Sequence, residues 1–446
     1  MKASHILMAI IFIVSSAARA QDVTAATGPP GLPVSGTLRY DLRYSQTAQF
    51  DGYADGQQRA YTSGDASYAN TSKRRPFAMQ YGGGYSWAWN GPPTAGNVFQ
   101  HLTLSQGFVG KKWNFTASNN FGYIFQTPTT GFSGVPGTGE PLGGTGTTTL
   151  SDQTILTQNT RTVDNITTLA FVEKLDRAWS ISTGATLGQM RFLDGNGQNM
   201  DTLTAKADVT HRLNAHNSLS GQYSFSRFSY GGANYSTQTN NLQFRYTRQW
   251  NKNLNTTVAA GPTWLSSSGV PSTGSIAVPN STMLFLDALA SYALRHGSAN
   301  ANYSHYTTGG SGYLLGAKID NISGNFSRDF GKNLTVGVTG SYVRTSALIA
   351  AELAYACTIN NVLYYCVVPL NLVPVTGARY GGVQATHKLG RRFNVFVNYT
   401  SINQSSDLQI AVPNSPLSYN ANILNGLNQV IGFGIGYSPR EMHFRK

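Results

Sequence analysis

Hydrophobic and polar side chains alternate one by one along most of this chain. From Leu38 to Tyr44 the even positions are apolar or aromatic, and the odd positions are charged. A helix would place neither set on a common face, whereas a β-strand separates them onto its two faces. The pattern therefore predicts β-strands with one apolar and one polar face. The same alternation recurs in the segments 77–87, 113–125, 219–225, 242–246, 334–342, 393–399 and 427–437.

Short polar turns, most of them basic, separate the alternating segments. They lie at 72–75, 110–112, 174–177, 212–216, 250–253, 295–297, 328–332 and 388–392. Most are about 35 to 45 residues apart, the length of one hairpin of membrane strands with its distal loop. These eight turns join sixteen strands, and one further strand lies outside them at each end, near 36–48 and 427–438.

The fold class that this layout predicts is all-β. It is a transmembrane antiparallel up-and-down β-barrel of about 18 strands, with short periplasmic turns and long extracellular loops. Sixteen strands are the alternative, because the alternation is weak near 58–70 and 299–306. Closure is a physical requirement, since an open sheet edge in lipid would leave backbone groups without hydrogen bonds.

The N-terminal residues have the features of a secretion signal. Lys2 supplies the positive start, residues 6–14 form a short apolar run, and Ala18-Arg19-Ala20 fits a cleavage site. The chain is therefore divided into a signal peptide (1–20), a Pro-rich periplasmic leader (21–35), a barrel (36–438) and a periplasmic C-terminal tail (439–446). The short leader gives no room for the folded plug domain that a gated siderophore-type transporter needs.

Composition supports a membrane barrel and argues against a nucleic-acid partner. Only 11% of the residues are charged, against about 25% in soluble domains. The chain holds 24 Tyr, 21 Phe and 48 Gly, which suits strands with one lipid face and one wet face. Its net charge is +13. The basic residues are spread over turns and strands of an exported chain rather than gathered in one patch, so no nucleic acid is expected.

Charges on strands form the predicted functional surface. An Arg or Lys facing lipid at the midplane costs about 2 to 4 kcal/mol, so these residues should face the lumen or lie near an interface. An excess of positive charge in an open lumen would favour anions. Alternatively, they pair with acids and tyrosines and fill the lumen. An open or partly open pore is favoured, because so many strands enclose more space than side chains usually fill. The candidate pore-lining residues are Arg39, Asp41, Arg43, Lys206, Asp208, Arg227, Arg245, Asp287, Lys318 and Arg344.

Two long loops stand out between the predicted strands. Residues 127–155 are rich in Gly and Pro and form the third distal loop. In position this loop resembles the third loop of general porins, which folds into the lumen; display at the cell surface is the alternative. Residues 349–376 contain Cys357 and Cys366, the two cysteines of the chain. Their closeness in an exported loop predicts a disulfide.

Histidines offer little sign of catalysis. His101 and His305 lie on predicted strands and could face the lumen, but neither has a nucleophile or acid at a recognisable spacing. No cofactor or metal site is predicted, and an enzyme is not expected. A barrel hydrolase using His101 or His305 is the minor alternative.

The last strand resembles the C-terminal strand of bacterial outer-membrane barrels. Leu427, Ile431, Phe433, Ile435 and Tyr437 alternate with small or polar residues. This resemblance implies recognition by the barrel-insertion machinery, location in the outer membrane of a Gram-negative bacterium, and contact with outer-membrane lipid and lipopolysaccharide. It leaves a homo-oligomer open.

The segment 36–44, following a Pro-rich leader, also resembles the start of a group of exported outer-membrane barrels of unassigned function. The leading functional hypothesis is a porin-like channel for passive diffusion of small hydrophilic solutes, with anions as the charged class that the strand cations favour. The alternatives are a non-conducting surface scaffold or adhesin, or the outer-membrane component of a polysaccharide export system.

Overall fold

The computed structural model describes residues 37–51, 54–70, 72–88, 97–126, 160–193, 199–231, 235–269, 280–308, 317–348, 352–359, 362–369, 375–406, 426–438 and 442–443. The predicted signal peptide, the leader, the loop 127–155 and most of the tail lie outside these residues. Within the part described, no helix is long and apolar enough to cross a membrane.

The described chain is made of β-strands. The first ten are β1 (Thr37–Asp51), β2 (Ala54–Asn70), β3 (Phe77–Ala88), β4 (Asn97–Val109), β5 (Trp113–Gln126), β6 (Thr160–Lys174), β7 (Trp179–Phe192), β8 (Met200–Arg212), β9 (Asn217–Tyr230) and β10 (Tyr235–Gln249). The remainder are β11 (Leu254–Gly269), β12 (Ser281–Leu294), β13 (Gly297–Thr308), β14 (Ala317–Phe330), β15 (Leu334–Ala347), β16 (Glu352–Ile359), β17 (Val362–Pro369), β18 (Val375–Leu389), β19 (Phe393–Ser406), β20 (Gly426–Tyr437) and β21 (Met442–His443).

Eighteen of these strands close into one antiparallel barrel. Each barrel strand pairs with the next along the chain, and β15 pairs with β18 across the connection that contains β16 and β17. The barrel closes where β20 pairs with β1, with Tyr44 opposite Ile435. The predicted fold and strand number are confirmed. The alternative of sixteen strands is wrong, because the weakly patterned segments form complete strands β2 and β13.

The remaining strands lie outside this ladder. β16 and β17 pair only with each other, as a hairpin within the connection from β15 to β18. Their register places Cys357 opposite Tyr364, and Cys366 opposite Tyr355. The two cysteines are therefore not directly opposed, and the disulfide stays a prediction. β21 pairs with the start of β1, next to the point of closure.

Asparagine and aspartate side chains build several of the short turns. Asp176, Asn214 and Asn251 each accept hydrogen bonds from the backbone N–H groups two and three residues later, at 2.7 to 2.9 Å. Two other turns use Gly331 and Gly390 at positive φ (70° and 75°), a conformation that glycine adopts without a steric penalty. The basic residues of these turns stand on one rim of the barrel.

The outer face of the barrel is apolar. Its exposed residues include Leu187 (54%), Phe244 (60%), Ile322 (56%) and Phe433 (57%). Exposed tryptophans stand where short turns meet strands, at Trp113, Trp179 and Trp250. Arg248 lies 3.8 Å from the centre of the last of these rings. An apolar band with an aromatic girdle is the surface that a lipid bilayer requires.

The chain is therefore an outer-membrane β-barrel, with the short turns on the periplasmic side and the longer connections on the extracellular side.

Candidate lumenal site

The inner wall carries mostly small polar side chains together with a few ionisable ones. Among the described inward positions away from the strand ends, the ionisable residues lie on alternate strands. They are Asp65 on β2, His101 on β4, Asp164 on β6, Lys206 and Asp208 on β8, Arg245 on β10, and Asp287 on β12. Their side chains alternate along each strand with exposed lipid-facing residues such as Leu203 and Val209 on β8. Together they form an arc around about half of the wall.

Strand register places the first three members of this arc in one row. Asp65 lies opposite Gly82, which lies opposite His101; His101 lies opposite Gly122, which lies opposite Asp164. Glycines on β3 and β5 therefore separate each pair of ionisable residues. At Gly82 the missing side chain leaves space that the longer side chains on either side occupy.

The carboxylate of Asp65 and the ring of His101 meet over Gly82. A Cβ added at this glycine would contact Asp65 Oδ1 and both Cε1 and Nε2 of the histidine. Asp65 is 7% exposed. The inner wall thus holds a carboxylate and an imidazole beside each other. This close approach depends on residue 82 having no side chain.

Asp164 is a second buried carboxylate of the row. It is 7% exposed, and its Oδ1 has no hydrogen-bond partner among the described residues. A buried polar atom without a partner is costly unless a ligand or water satisfies it. Asp164 was not among the candidate residues from the sequence. The signal that would have found it is the alternation of β6, in which Leu169 and Phe171 mark the lipid face.

Three of the remaining members of the arc lie against polar or small neighbours on the inner wall. Lys206 extends along its strand neighbour, with Cε 3.1 Å from where a Cβ of Gly184 would lie. Thr210 donates a hydrogen bond to Asp208 Oδ1 at 2.8 Å. Arg245 donates one from its Nη2 to Gln222 at 3.2 Å.

Arg245 and Asp287 occupy one row across the wall. Ala259 lies opposite both of them and is 1% exposed. The row repeats the arrangement around Gly82, in which a small residue on the middle strand separates two ionisable ones. Four of the candidate residues, Lys206, Asp208, Arg245 and Asp287, therefore lie on the inner face, and their role in lining a pore stays a prediction.

Three other candidate residues lie on the outer face. Arg227 alternates with the buried Phe228 and shares its face with the exposed Leu219 and Tyr223. Lys318 shares a face with Ile322, and Arg344 with Tyr342. All three lie near the extracellular ends of their strands. The expectation that they line the lumen is corrected, because the cost of a charge on the lipid face falls to about 0–1 kcal/mol near the interface.

The side chains of Arg39, Asp41 and Arg43 lie outside the described part of the structure. Their backbone belongs to β1, where the register places Asp41 opposite Asp65 and Arg43 opposite Ser63. Asp41 thus occupies the strand position next to the row of Asp65 and His101. Whether these three residues line the lumen stays a prediction.

The charge balance of the described arc is acidic. It contains the carboxylates Asp65, Asp164, Asp208 and Asp287, against the cations Lys206 and Arg245. The expected excess of lumenal positive charge is not present in this part of the wall, because Arg227, Lys318 and Arg344 face outward.

Apolar patches cover the inner wall at its extracellular end, which the sequence reasoning missed. One patch contains Met200, Phe228, Tyr230, Tyr235 and Leu265. Within it the rings of Tyr230 and Tyr235 stack, with centroids 5.7 Å apart. A second patch contains Ile319, Val343 and Ala378.

At these patches the inward positions carry large apolar residues in place of the small polar ones found elsewhere on the inner wall. The apolar patches therefore lie on the extracellular side of the charged arc.

His305 does not face the lumen. It lies opposite Asp320, and its Nδ1 is 2.5 Å from a carboxylate oxygen of that residue, on the outer face. Within the residues that the structure describes, no group of three or more His, Cys, Asp or Glu side chains could bind a metal ion.

No protein-family model matches the chain, and no curated protein matches it. Solved structures of outer-membrane proteins resemble its fold. OpdQ of Pseudomonas aeruginosa is 10% identical, with a TM-score of 0.42, and the match covers 90% of this chain and 98% of that one. OccK2 (OpdF) of the same organism is 11% identical, with a TM-score of 0.42 and coverages of 90% and 98%.

The copper transporter OprC is 9% identical, with a TM-score of 0.42, and the match covers 84% of this chain. This chain spans 64% of the length of OprC. Similarity at this level does not identify a solute or an activity.

Proposed function

We propose that this protein is a porin-like channel through which small hydrophilic solutes cross the outer membrane by passive diffusion. One observation carries the proposal: the inner wall of a closed barrel of 18 strands bears an arc of ionisable residues. Barrels of this size enclose more space than their own side chains usually fill. The outer wall needs only apolar residues to be stable in lipid, so the inward charges are the groups available to contact a solute.

The described arc favours cationic or zwitterionic solutes. The four carboxyl groups of the described arc outnumber its two cations, and in their ionised form they attract cations and repel anions. The anionic preference expected from the sequence depends on the lumenal orientation of Arg39 and Arg43. The sign of the selectivity therefore distinguishes the two versions of the channel.

Planar-bilayer recording of the refolded full chain tests the proposal. In a gradient of potassium chloride, the reversal potential gives the ratio of cation to anion permeability. We expect a conducting pore with a cation preference that falls when Asp65→Asn and Asp164→Asn are combined. The matched control is Asp320→Asn, which removes one carboxylate from the outer face and should leave selectivity unchanged. Absence of conductance would contradict the channel, and an anion preference would contradict the cationic version.

A surface scaffold or adhesin is the second candidate function. It is favoured by the hairpin of β16 and β17, which pairs with no barrel strand and adds a separate two-stranded sheet to the connection between β15 and β18. Deleting 352–369 should leave conductance unchanged in either case. If cells carrying the deletion variant lose surface binding while the barrel still folds, the scaffold is favoured. If they bind as before, the hairpin does not support a scaffold function.

An enzymatic role is not proposed. The pair of Asp65 and His101 supplies an acid and a base, but catalysis of acyl transfer also needs a positioned nucleophile and an oxyanion site. We expect lipase and esterase assays to give the same result for His101→Ala as for the unchanged protein.

A further inference from the structure

Three cations lie together on the outer face of the barrel near its extracellular rim. They are Lys318 on β14, Arg344 on β15 and Arg379 on β18, three neighbouring strands of the wall. Arg344 lies two positions from Ser346, the partner of Lys318, and two positions from Tyr342, the partner of Arg379. Such diagonal neighbours on one face have Cα atoms about 7–8 Å apart, within reach of long side chains.

Strand alternation fixes the direction of all three side chains. Exposed apolar residues lie further along the same faces: Ile322 (56%), Tyr342 (40%) and Val383 (46%). The intervening positions are buried on the inside, at Ile319 (2%), Val343 (3%) and Ala378 (4%). The three cations therefore belong to the surface that faces lipid and not to the lumen.

The nearby acid offsets only part of the positive charge of these three cations. Asp320 lies directly opposite Arg344 in the sheet, but its carboxylate pairs with His305 at 2.5 Å. Lys318, Arg344 and Arg379 have no hydrogen bond or ion pair to any residue that the structure describes. Three cations beside one carboxylate leave an excess of positive charge on this part of the lipid-facing wall, and an anionic ligand would offset it, because charge is costly away from bulk water.

The depth of the cluster indicates which partner is present there. Arg344 is three residues from the end of β15, and Lys318 is one residue from the start of β14. At about 3.4 Å per residue, both positions lie within roughly 10 Å of the strand ends. Tyr342 stands on the membrane side of Arg344, as an interfacial aromatic residue does. This is the depth of lipid headgroups, where phosphate is the anion that a guanidinium binds in bidentate geometry.

We propose that Lys318, Arg344 and Arg379 form a binding site for the phosphate group of an anionic lipid in the outer leaflet. One phosphate accepts hydrogen bonds from the two guanidinium groups, and the ammonium of Lys318 adds a third positive contact. The acyl chains pack against the exposed Ile322 and Val383 below. The site is independent of solute passage through the lumen.

Native mass spectrometry of the delipidated full chain in non-ionic detergent tests this site. The probes are diphosphoryl lipid A and the same lipid with both phosphates removed. Each cation near a charged surface contributes about a fivefold factor in affinity. We expect the combined variant Lys318→Gln, Arg344→Gln and Arg379→Gln to bind diphosphoryl lipid A at least about tenfold more weakly, with little change for the dephosphorylated lipid.

A matched variant controls for net charge. Lys388→Gln, Arg391→Gln and Arg392→Gln remove three cations from a periplasmic turn and should leave lipid binding unchanged. Equal loss in both variants, or no loss in the first, would overturn the proposal. Inorganic phosphate binding as tightly as the lipid would assign the site to free phosphate instead. A dimer lost only in the first variant would make it an interface between copies.

Bilayer conductance separates this site from the proposed channel. The three outer substitutions should leave ion selectivity unchanged, and a changed selectivity would show that the cations face the lumen. If the protein does not conduct at all, the channel proposal fails, and the lipid-binding measurement still tests the lipid site independently.

Discussion

Replacing Gly82 with alanine should destabilise the barrel far more than the same change at an open glycine. A Cβ at this position would overlap the ring of His101 and the carboxylate of Asp65, and both belong to the packed inner wall. Relief requires new rotamers on two neighbouring strands. Overpacking of this kind costs about 1–3 kcal/mol. We therefore expect Gly82→Ala to lower the free energy of unfolding by about 2 kcal/mol.

Gly381 on β18 provides the matched control, because nothing lies within 4 Å of where its Cβ would be. Alanine there restricts the unfolded chain without a clash, so Gly381→Ala should be neutral or stabilise by roughly 0.5 kcal/mol. The assay is urea-induced unfolding in lipid vesicles, followed by tryptophan fluorescence. The same substitution in a His101→Ala variant provides a second test. In His101→Ala the ring is gone, so Gly82→Ala should cost less than it does in the natural chain.

Two results would refute this reasoning. Equal effects of alanine at Gly82 and Gly381 would show that His101 and Asp65 do not meet over the backbone of β3. An unchanged cost of Gly82→Ala in the His101→Ala background would show that the imidazole is not the obstacle. In either case the inner row would not have the geometry on which the proposed cation preference depends.

Three further predictions concern packing, pH and the extracellular hairpin. Phe396→Ala should lower the free energy of unfolding by about 3 kcal/mol in the same assay, because this inward ring is 2% exposed. Val397→Ala, on the lipid-facing side, should lower it by under about 1 kcal/mol. Equal costs would contradict the assignment of the two faces. Hydrogen bonds from backbone N–H groups hold the pKa of Asp176 in the folded protein below its value in the unfolded chain. The ionised carboxylate therefore stabilises the fold at pH values above the unfolded-state pKa, and this stabilisation is lost as the pH falls through the folded-state pKa. Asp176→Asn should reduce the fall of the urea midpoint at acidic pH. An unchanged fall would contradict the stabilising role of the Asp176 carboxylate in this turn. Thiol labelling of the unfolded, unreduced protein should find Cys357 and Cys366 unreactive if they form the predicted disulfide, and labelling of both would exclude it.

The barrel itself could be predicted from the sequence because period-two alternation and short turns repeat around it. Each strand of such a sheet has one apolar face, and a shift by one residue would expose polar groups to lipid. Even the weakly patterned β2 is held in register, since both of its neighbours pair with it along nearly their whole length. Neighbouring strands therefore supply the information that the residues of β2 lack.

The hairpin of β16 and β17 could not be predicted by the same rule. From Glu352 to Pro369 the apolar residues run together instead of alternating. A continuous apolar run does not distinguish a strand from a buried helix segment by its period. The available signal was local: two β-prone runs flank Asn360 and Asn361, the residue type that favours tight turns.

The orientation of charged side chains shows most clearly what alternation leaves undecided. Lys206 lies in the middle of its strand, where facing lipid would cost several kcal/mol, and its side chain points inward. Arg245, four residues from the end of β10, also points inward. Arg227, Lys318 and Arg344 lie near strand ends, where that cost almost disappears. The rule that charges face the lumen is thus a rule about depth in the membrane. Applied with depth, it assigns the mid-strand charges to the lumen and solute, and the rim cations to the headgroups of lipid.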